Sequence, residues 1–238
     1  TSTFCPVTYQ LGEKMREFKM VNSQGNEEYT TVPNVVDTDK FTLSKKSREK
    51  GEAVKLLHVS SLEDTQKNIT GILHTIAHLR ATRPDFKFNA TFVGGSDPER
   101  LSKVRRYAAS LNLTAPTVLF TGPKNSDEVA DLMRKSDAVI LFSRKENFPC
   151  VIAEAWASGK SVITTDVGGI SEHMADERGM LIPSGDERAL AASILKLDNA
   201  WDAKSIRKYA VDRFSVNSIA EQFDKVYRTA LGGKDDAE

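Results

Sequence analysis

Glu146 and Glu154 bracket the segment Asn147-Phe148-Pro149-Cys150-Val151-Ile152-Ala153, with seven residues between the two carboxylates. The apolar run Asp137-Ala138-Val139-Ile140-Leu141-Phe142-Ser143 precedes them and reads as a buried strand, and the run from Val151 to Ala157 reads as a helix. Proline suits the first turn of a helix, where its missing N–H bonds nothing. Glu146 is therefore expected on the strand-to-helix loop, and Glu154 about a turn and a half into the helix. A helix starting at such a loop turns free amides and a positive dipole end toward the crevice above the sheet. Because Pro149 has no amide proton, Phe148, Cys150 and Val151 are left as the donors. This arrangement fits a diphosphate, with Glu154 accepting hydrogen bonds from a ribose diol and Glu146 close to whatever hangs from the far phosphate. Two solvated glutamates flanking a helix start would show the same spacing.

The surrounding elements have to hold these groups over one crevice. Ser161-Val162-Ile163-Thr164-Thr165 reads as a second buried strand, running into Asp166-Val167-Gly168-Gly169-Ile170-Ser171-Glu172, where a glycine pair opens another short helix. Two successive strand–loop–helix units then aim helix N-termini at one place, the ligand crevice of open α/β sheets. Further strands are predicted at Val54–Val59, Phe88–Val93, Thr117–Thr121 and Gly179–Ile182. Helices are predicted at Asn68–Thr82, Asp97–Leu111, Ser126–Arg134 (capped by Ser126 or Asp127) and Asp186–Leu197. Six strands with helices between them imply an α/β fold built on a doubly wound, Rossmann-like parallel sheet. Lys67 opens the first helix after the first strand, so its ammonium reaches over the same crevice as Glu146. Two helices, at 201–214 and 216–231, close the chain, and the polar stretch 232–238 is expected to fray. The first forty residues stand outside this alternation, with Met15–Met20 helical and Tyr29–Val32 extended.

Composition narrows the classes. The 238 residues are 39% hydrophobic, enough for a sizeable core. The 33 basic residues balance the 33 acidic ones, so charge gives no reason to expect a nucleic-acid partner. No apolar run approaches the roughly 18–20 residues of a membrane span. Cys5 and Cys150 read as free thiols in a reducing cytoplasm. Cys150 falls at a helix N-terminus, which lowers a thiol pKa, yet an ordinary packed thiol is the expectation.

Several lookalikes are set aside. Asp37-Thr38-Asp39 imitates a metal-binding Asp-x-Asp, but it sits in a crossover, where turn capping or solvation accounts for it. Gly159-Lys160-Ser161 imitates the end of a phosphate-binding loop, but Glu154 stands where that motif needs glycine, and the segment precedes a strand. His74 and His78 have metal-ligand spacing on a helix without a third ligand, and are expected at the surface. The first strand is followed by Ser60-Ser61-Leu62-Glu63, which lacks the glycine fingerprint of a dinucleotide site.

With these motifs in order, the chain resembles the retaining glycosyltransferases of the GT-B fold, the large family four, from about Thr31 to about Leu231. The resemblance rests on Glu146 and Glu154 with the Ala-rich helix, on Gly168-Gly169, and on Pro33-Asn34-Val35-Val36-Asp37 with Phe41. It also includes Lys67-Asn68, Val93-Gly94-Gly95, Phe120-Thr121-Gly122 and Ser143. It implies a donor-binding half that binds a UDP- or GDP-linked sugar without metal or other cofactor. The implied donor-site residues are Ser61, Lys67, Gly94, Gly122, Glu146, Asn147, Phe148, Cys150, Val151, Glu154, Gly168 and Gly169, with Glu146 and Lys67 catalytic. In the family an arginine six residues before the lysine shares the diphosphate; here that position is Ser61, which halves the expected cationic clamp. Pro149 stands where the family often has glycine. The implied domains are a remnant of the acceptor-binding half and crossover (1–36), the donor domain (37–213), and a C-terminal helix with tail (214–238). An acceptor-binding half is expected in a longer protein from which this chain is cut, with a naturally short chain as the other reading. The whole would be cytoplasmic, and any peripheral membrane contact would come through that other half. Two other readings stay open on the residues: a nucleotide or nucleotide-sugar binding module without transferase activity, and a GT-B relative such as a sugar-nucleotide epimerase or phosphorylase.

Overall fold

A computed structural model describes residues 4–18, 29–46, 48–49, 51–198 and 201–231. Six strands form one sheet: β1 (Val54–Ser60), β2 (Phe88–Gly94), β3 (Val118–Gly122), β4 (Ala138–Leu141), β5 (Ser161–Thr165) and β6 (Gly179–Ile182). Their spatial order is β3-β2-β1-β4-β5-β6 and every neighbouring pair is parallel. Parallel strands need crossovers, and these run through α2 (Asp64–Lys67), α3 (Ile69–Thr82), α4 (Pro98–Ser110), α5 (Ser126–Lys135), α6 (Cys150–Ala157) and, between β5 and β6, the short 3-10 helix Gly168–Glu172, while α7 (Glu187–Leu195) follows β6. The helix α1 (Tyr9–Glu17) precedes the sheet, and α8 (Ala203–Phe214) and α9 (Val216–Ala230) follow it.

Alternate residues of the central strands feed two cores. Leu56, Ile140 and Ile163 join Ile72, Leu73 and Ile76 of α3 and Leu190 and Ile194 of α7 on one face. Leu57, Val139 and Val162 join Met133 of α5, Ile152 and Trp156 of α6, and Ile206 and Phe214 of α8 on the other. With both faces covered, every residue of β4 and β5 is buried. This explains why those strands read as continuous apolar runs.

Local chemistry moved several boundaries. The strand expected from Asp137 to Ser143 pairs only over Ala138–Leu141, although Phe142 and Ser143 are also buried. The capping residue of α5 is Asn125, not Ser126 or Asp127: its side chain accepts from Glu128 N while Glu128 accepts from Asn125 N, a reciprocal box. The first helix runs over Tyr9–Glu17 instead of Met15–Met20, whose last two residues lie outside the described ones. It starts early because Thr8 caps it and the distant Glu172 carboxylate receives the amides of Tyr9 and Gln10, each at 2.8 Å. The segment 29–32 forms no strand of its own but bonds to Phe4 and Pro6 through the Thr30 and Val32 amides. The stretch 232–238, expected to fray, lies outside the described residues. Asp37 closes a turn, its carboxylate accepting from Asp39 N and Lys40 N.

The crossover into the sheet is held by Arg207 on α8. Its guanidinium donates to the carbonyls of Phe41 (2.6 Å), Thr38 (2.8 Å) and Ala157. Val36 also bridges Ser215, so the chain's entry to and exit from the sheet are tied together. Charge-assisted bonds to otherwise unpaired carbonyls are the stronger kind. Arg207→Met is therefore expected to lower unfolding free energy by about 2–4 kcal/mol, read as an earlier urea midpoint.

Candidate functional site

The strand order reverses direction between β1 and β4, whose pairing runs Leu56↔Ala138 and Leu57↔Val139. The loops leaving these two strands carry Lys67 and Glu146. Lys67 closes the short helix α2 instead of opening the longer one, because Asn68 adopts a left-handed conformation (φ 51°) between α2 and α3. The Lys67 Nζ lies 2.5 Å from Glu146 Oε1, and the Ser143 hydroxyl donates to the same oxygen at 2.7 Å. The side chains are 17% and 9% exposed, so the pair is largely out of water yet still open at one side. Arg144, which the sequence reading did not single out, locks the two loops together. Its amide donates to Gln66 O and its guanidinium to Asp64 O, each at 2.6 Å, with a further bond to Asn68 Oδ1. A cation beside Ser143 and two residues from Glu146 was the available signal for it.

Pro149 is the N-cap of α6, one position earlier than expected, and the helix begins at Cys150. Phe148 is 3% exposed, its ring packed on His173, Phe214 and Trp156, so only its backbone is free to meet a ligand. Among the described residues the amides of Phe148 and Val151 meet no acceptor. Glu154 is partly buried, accepts no hydrogen bond among the described residues, and has its pKa pushed up by burial. Cys150 is exposed, not packed. Its thiol pKa is raised, first by partial burial and then by the Glu154 carboxylate, so the helix N-terminus does not prevail there. Ser61 and Asn147 are exposed on their loops, and Ser61 directly follows β1.

The glycines answer to the protein's own backbone. Gly168 has φ 62°, and a Cβ there would stand 2.1 Å from Glu146 O. Gly169 donates its amide to Asn147 O at 2.9 Å, and a Cβ on it would strike Thr8. Gly94 (φ 121°) faces Ser60 O in the same way, and Gly122 also has positive φ (77°). The Asn34 side chain, from the segment entering the sheet, donates to Phe148 O at 2.9 Å. Glu146's loop is thus fixed from β1, from β5 and from the crossover.

Beneath the crevice lies His58, a polar residue inside an apolar strand and a second one the sequence reading passed over. It is 2% exposed, with Nδ1 2.8 Å from Ile140 O and Nε2 2.7 Å from Ser60 Oγ, which itself receives the Leu62 amide at 3.0 Å. His74 and His78 are exposed as expected, and His74 touches Tyr107 and Glu187 on neighbouring helices.

This architecture is that of the GT-B glycosyltransferases. The fold superposes on a glycosyltransferase from Rickettsia africae with a TM-score of 0.81 at 19% identity, covering 97% of this chain and 64% of that one. It likewise superposes on an Anabaena protein crystallised with UDP and glucose, with a TM-score of 0.75 at 22% identity, covering 96% and 63%. Residues 53–199 match the glycosyl transferases group 1, and the chain belongs to that family. A curated relative, N-acetyl-alpha-D-glucosaminyl L-malate synthase of Bacillus anthracis, is 28% identical over 218 residues, 87% of this chain and 55% of the relative. The matches to this and other curated relatives span from 30% to 55% of the relatives' own length. Among the described residues, no helix is long and apolar enough to cross a membrane.

Burial holds His58 and His173 neutral, lowering each from 6.5 to about 4. For His58 the nearby Lys67 charge adds to the lowering, while the bond to Ile140 opposes it. The unfolded chain takes up these protons first, so this stability is present above about pH 6.5 and is lost as pH falls toward 4. Between pH 7.5 and pH 5 each histidine should cost about 2 kcal/mol. Urea unfolding at the two pH values checks this: His58→Gln should remove about half of the histidine-dependent loss, with His173 retaining the rest.

Proposed function

We propose that this chain is the donor-binding half of a retaining glycosyltransferase. It would pass a sugar from a UDP- or GDP-linked donor to an acceptor hydroxyl supplied through an acceptor-binding half. The observation that carries this reading is the Lys67–Glu146 contact at the β1/β4 reversal, beside the start of α6. Family membership and the neighbour crystallised with UDP and glucose support it.

In this reading the donor's diphosphate takes the Lys67 ammonium and the unbonded amides at the start of α6. Negative charge grows on the leaving oxygen as the bond to the sugar breaks. A fixed cation and fixed dipoles stabilise that charge without reorganising, so no metal ion is required. Glu146, held by Ser143 and Lys67, orients the sugar and far phosphate. Glu154 meets no donor among the described residues, and a ribose diol would supply two. Ser61 provides no charge where the family places an arginine, so the chain binds free nucleotide through one side-chain cation instead of two.

Calorimetry with UDP and GDP tests the division of labour. Glu154→Gln should weaken nucleotide binding by about 1–3 kcal/mol. Glu146→Gln should leave it unchanged or tighter, since it releases Lys67 from its present partner. Equal losses from the two changes would refute the assignment. The 238-residue chain alone should bind nucleotide and transfer nothing; transfer by it would defeat the half-enzyme reading.

The departure at Ser61 gives an independent check. Ser61→Arg should tighten UDP or GDP binding and make it more sensitive to salt, and Lys67→Ala should weaken it. If neither change alters affinity in folded protein, the diphosphate does not bind between these loops.

A further inference from the structure

A cavity of about 920 Å³ opens at the other end of the sheet from the Lys67–Glu146 crevice. Lys55 at the start of β1, Asp137 just before β4 and Ser161 at the start of β5 all line it. The seven residues of β1 put roughly 20 Å between the two ends. Seven lysines and arginines line this cavity against three acids, in a chain whose net charge is +0.

Two further observations make it more than a basic hollow. Among the described residues five buried side-chain polar atoms lack a hydrogen-bond partner, and three of them, Ser158 Oγ, Ser161 Oγ and Trp201 Nε1, belong to residues that line this one cavity. Ser158 and Ser161 are each 1% exposed, and buried polar groups are seldom left unmatched. The cations are also underused. Lys55 and Lys160 have no carboxylate within 4.0 Å among the described residues, and Lys160 makes one hydrogen bond, to Arg134 O at 3.1 Å. Asp137, the acid whose charge reaches Lys160, is engaged: it accepts the Lys55 amide at 2.7 Å and lies 3.7 Å from Arg48. Burial lowers the pKa of Lys160; Asp137 partly offsets that and Lys55 adds to it.

We propose that this cavity binds a phosphate group, free or carried on a small metabolite, with the Lys55 and Lys160 ammoniums as its cations and the Ser158, Ser161 and Trp201 donors completing the shell of its oxygens. Hydroxyl and indole N–H groups donate to oxyanions, and the volume lies within the small-molecule range. The segment Gly159-Lys160-Ser161 thus takes part in anion binding by a different route from the phosphate loop it imitates. The Ser158, Gly159 and Lys160 amides are already bonded to the carbonyls of Glu154, Trp156 and Ala155, so side chains, not a backbone cradle, do the binding. The site is separate from the donor crevice and does not depend on the donor reading.

The test uses the whole chain and its tryptophan fluorescence, since Trp201 lines the cavity while Trp156 is fully buried in a core. Inorganic phosphate, glucose 6-phosphate and glucose are titrated in parallel. Saturable quenching or enhancement by a phosphate-bearing probe and none by glucose is expected. Equal affinity for both phosphates assigns the free anion; tighter glucose 6-phosphate binding assigns a carried one. Lys55→Gln and Lys160→Gln should each weaken binding roughly tenfold. Lys55 is exposed, so its variant tests the site even if the Lys160 variant fails to fold. Lys67→Ala should leave the response intact. The absence of a saturable response, binding indifferent to Lys55→Gln, or a response lost in Lys67→Ala would each overturn the site.

Discussion

The parallel pairing of β1 with β4 is the constraint from which the rest follows. Strands that are not consecutive in sequence lie side by side there, so the loops that leave them emerge together with no strand between. Lys67 and Glu146 are 79 positions apart and meet at 2.5 Å only because of that adjacency. An ion pair this far out of water recovers its desolvation cost only with additional hydrogen bonds. Ser143 supplies one to the carboxylate, and Arg144 keeps the lysine's loop from drifting away.

Where the physical signal was local, the sequence was readable. Ser161–Thr165 and Gly179–Ile182 are strands with the boundaries that their apolar runs imply. The six-stranded parallel sheet, the loop position of Glu146 and the reach of Lys67 toward it were all legible from strand–helix alternation. Phe142 and Ser143 were read as strand because burial and ladder pairing leave the same apolar trace; they are buried without belonging to the ladder.

Where the signal was distant, it was not readable. The start of α1 depends on a carboxylate 162 and 163 positions away, which no window of sequence contains. Arg144 acts through the backbone carbonyl of Asp64 and the Asn68 side chain, 80 and 76 positions away, so its place beside Ser143 marks the site but not its partners. Phe148 looked like a loop residue by position, but its ring belongs to an aromatic cluster assembled from α6, α8 and His173. Cys150 shows a competition that position alone does not decide: the helix start favours thiolate, and partial burial with a carboxylate nearby outweighs it.

The close approach of Gly168 to the Glu146 carbonyl changes what a shared motif records. A side chain there would collide with backbone 2.1 Å away whether or not any ligand ever enters the crevice. A Cβ on Gly94 would likewise meet the Ser60 carbonyl, and one on Gly169 the Thr8 side chain. Selection for a foldable loop alone would keep these glycines in descendants that had lost their chemistry. The glycine pair is then a fossil of architecture, whereas drift at Glu154, whose carboxylate accepts no hydrogen bond among the described residues, would be the earlier mark of a lineage released from its substrate.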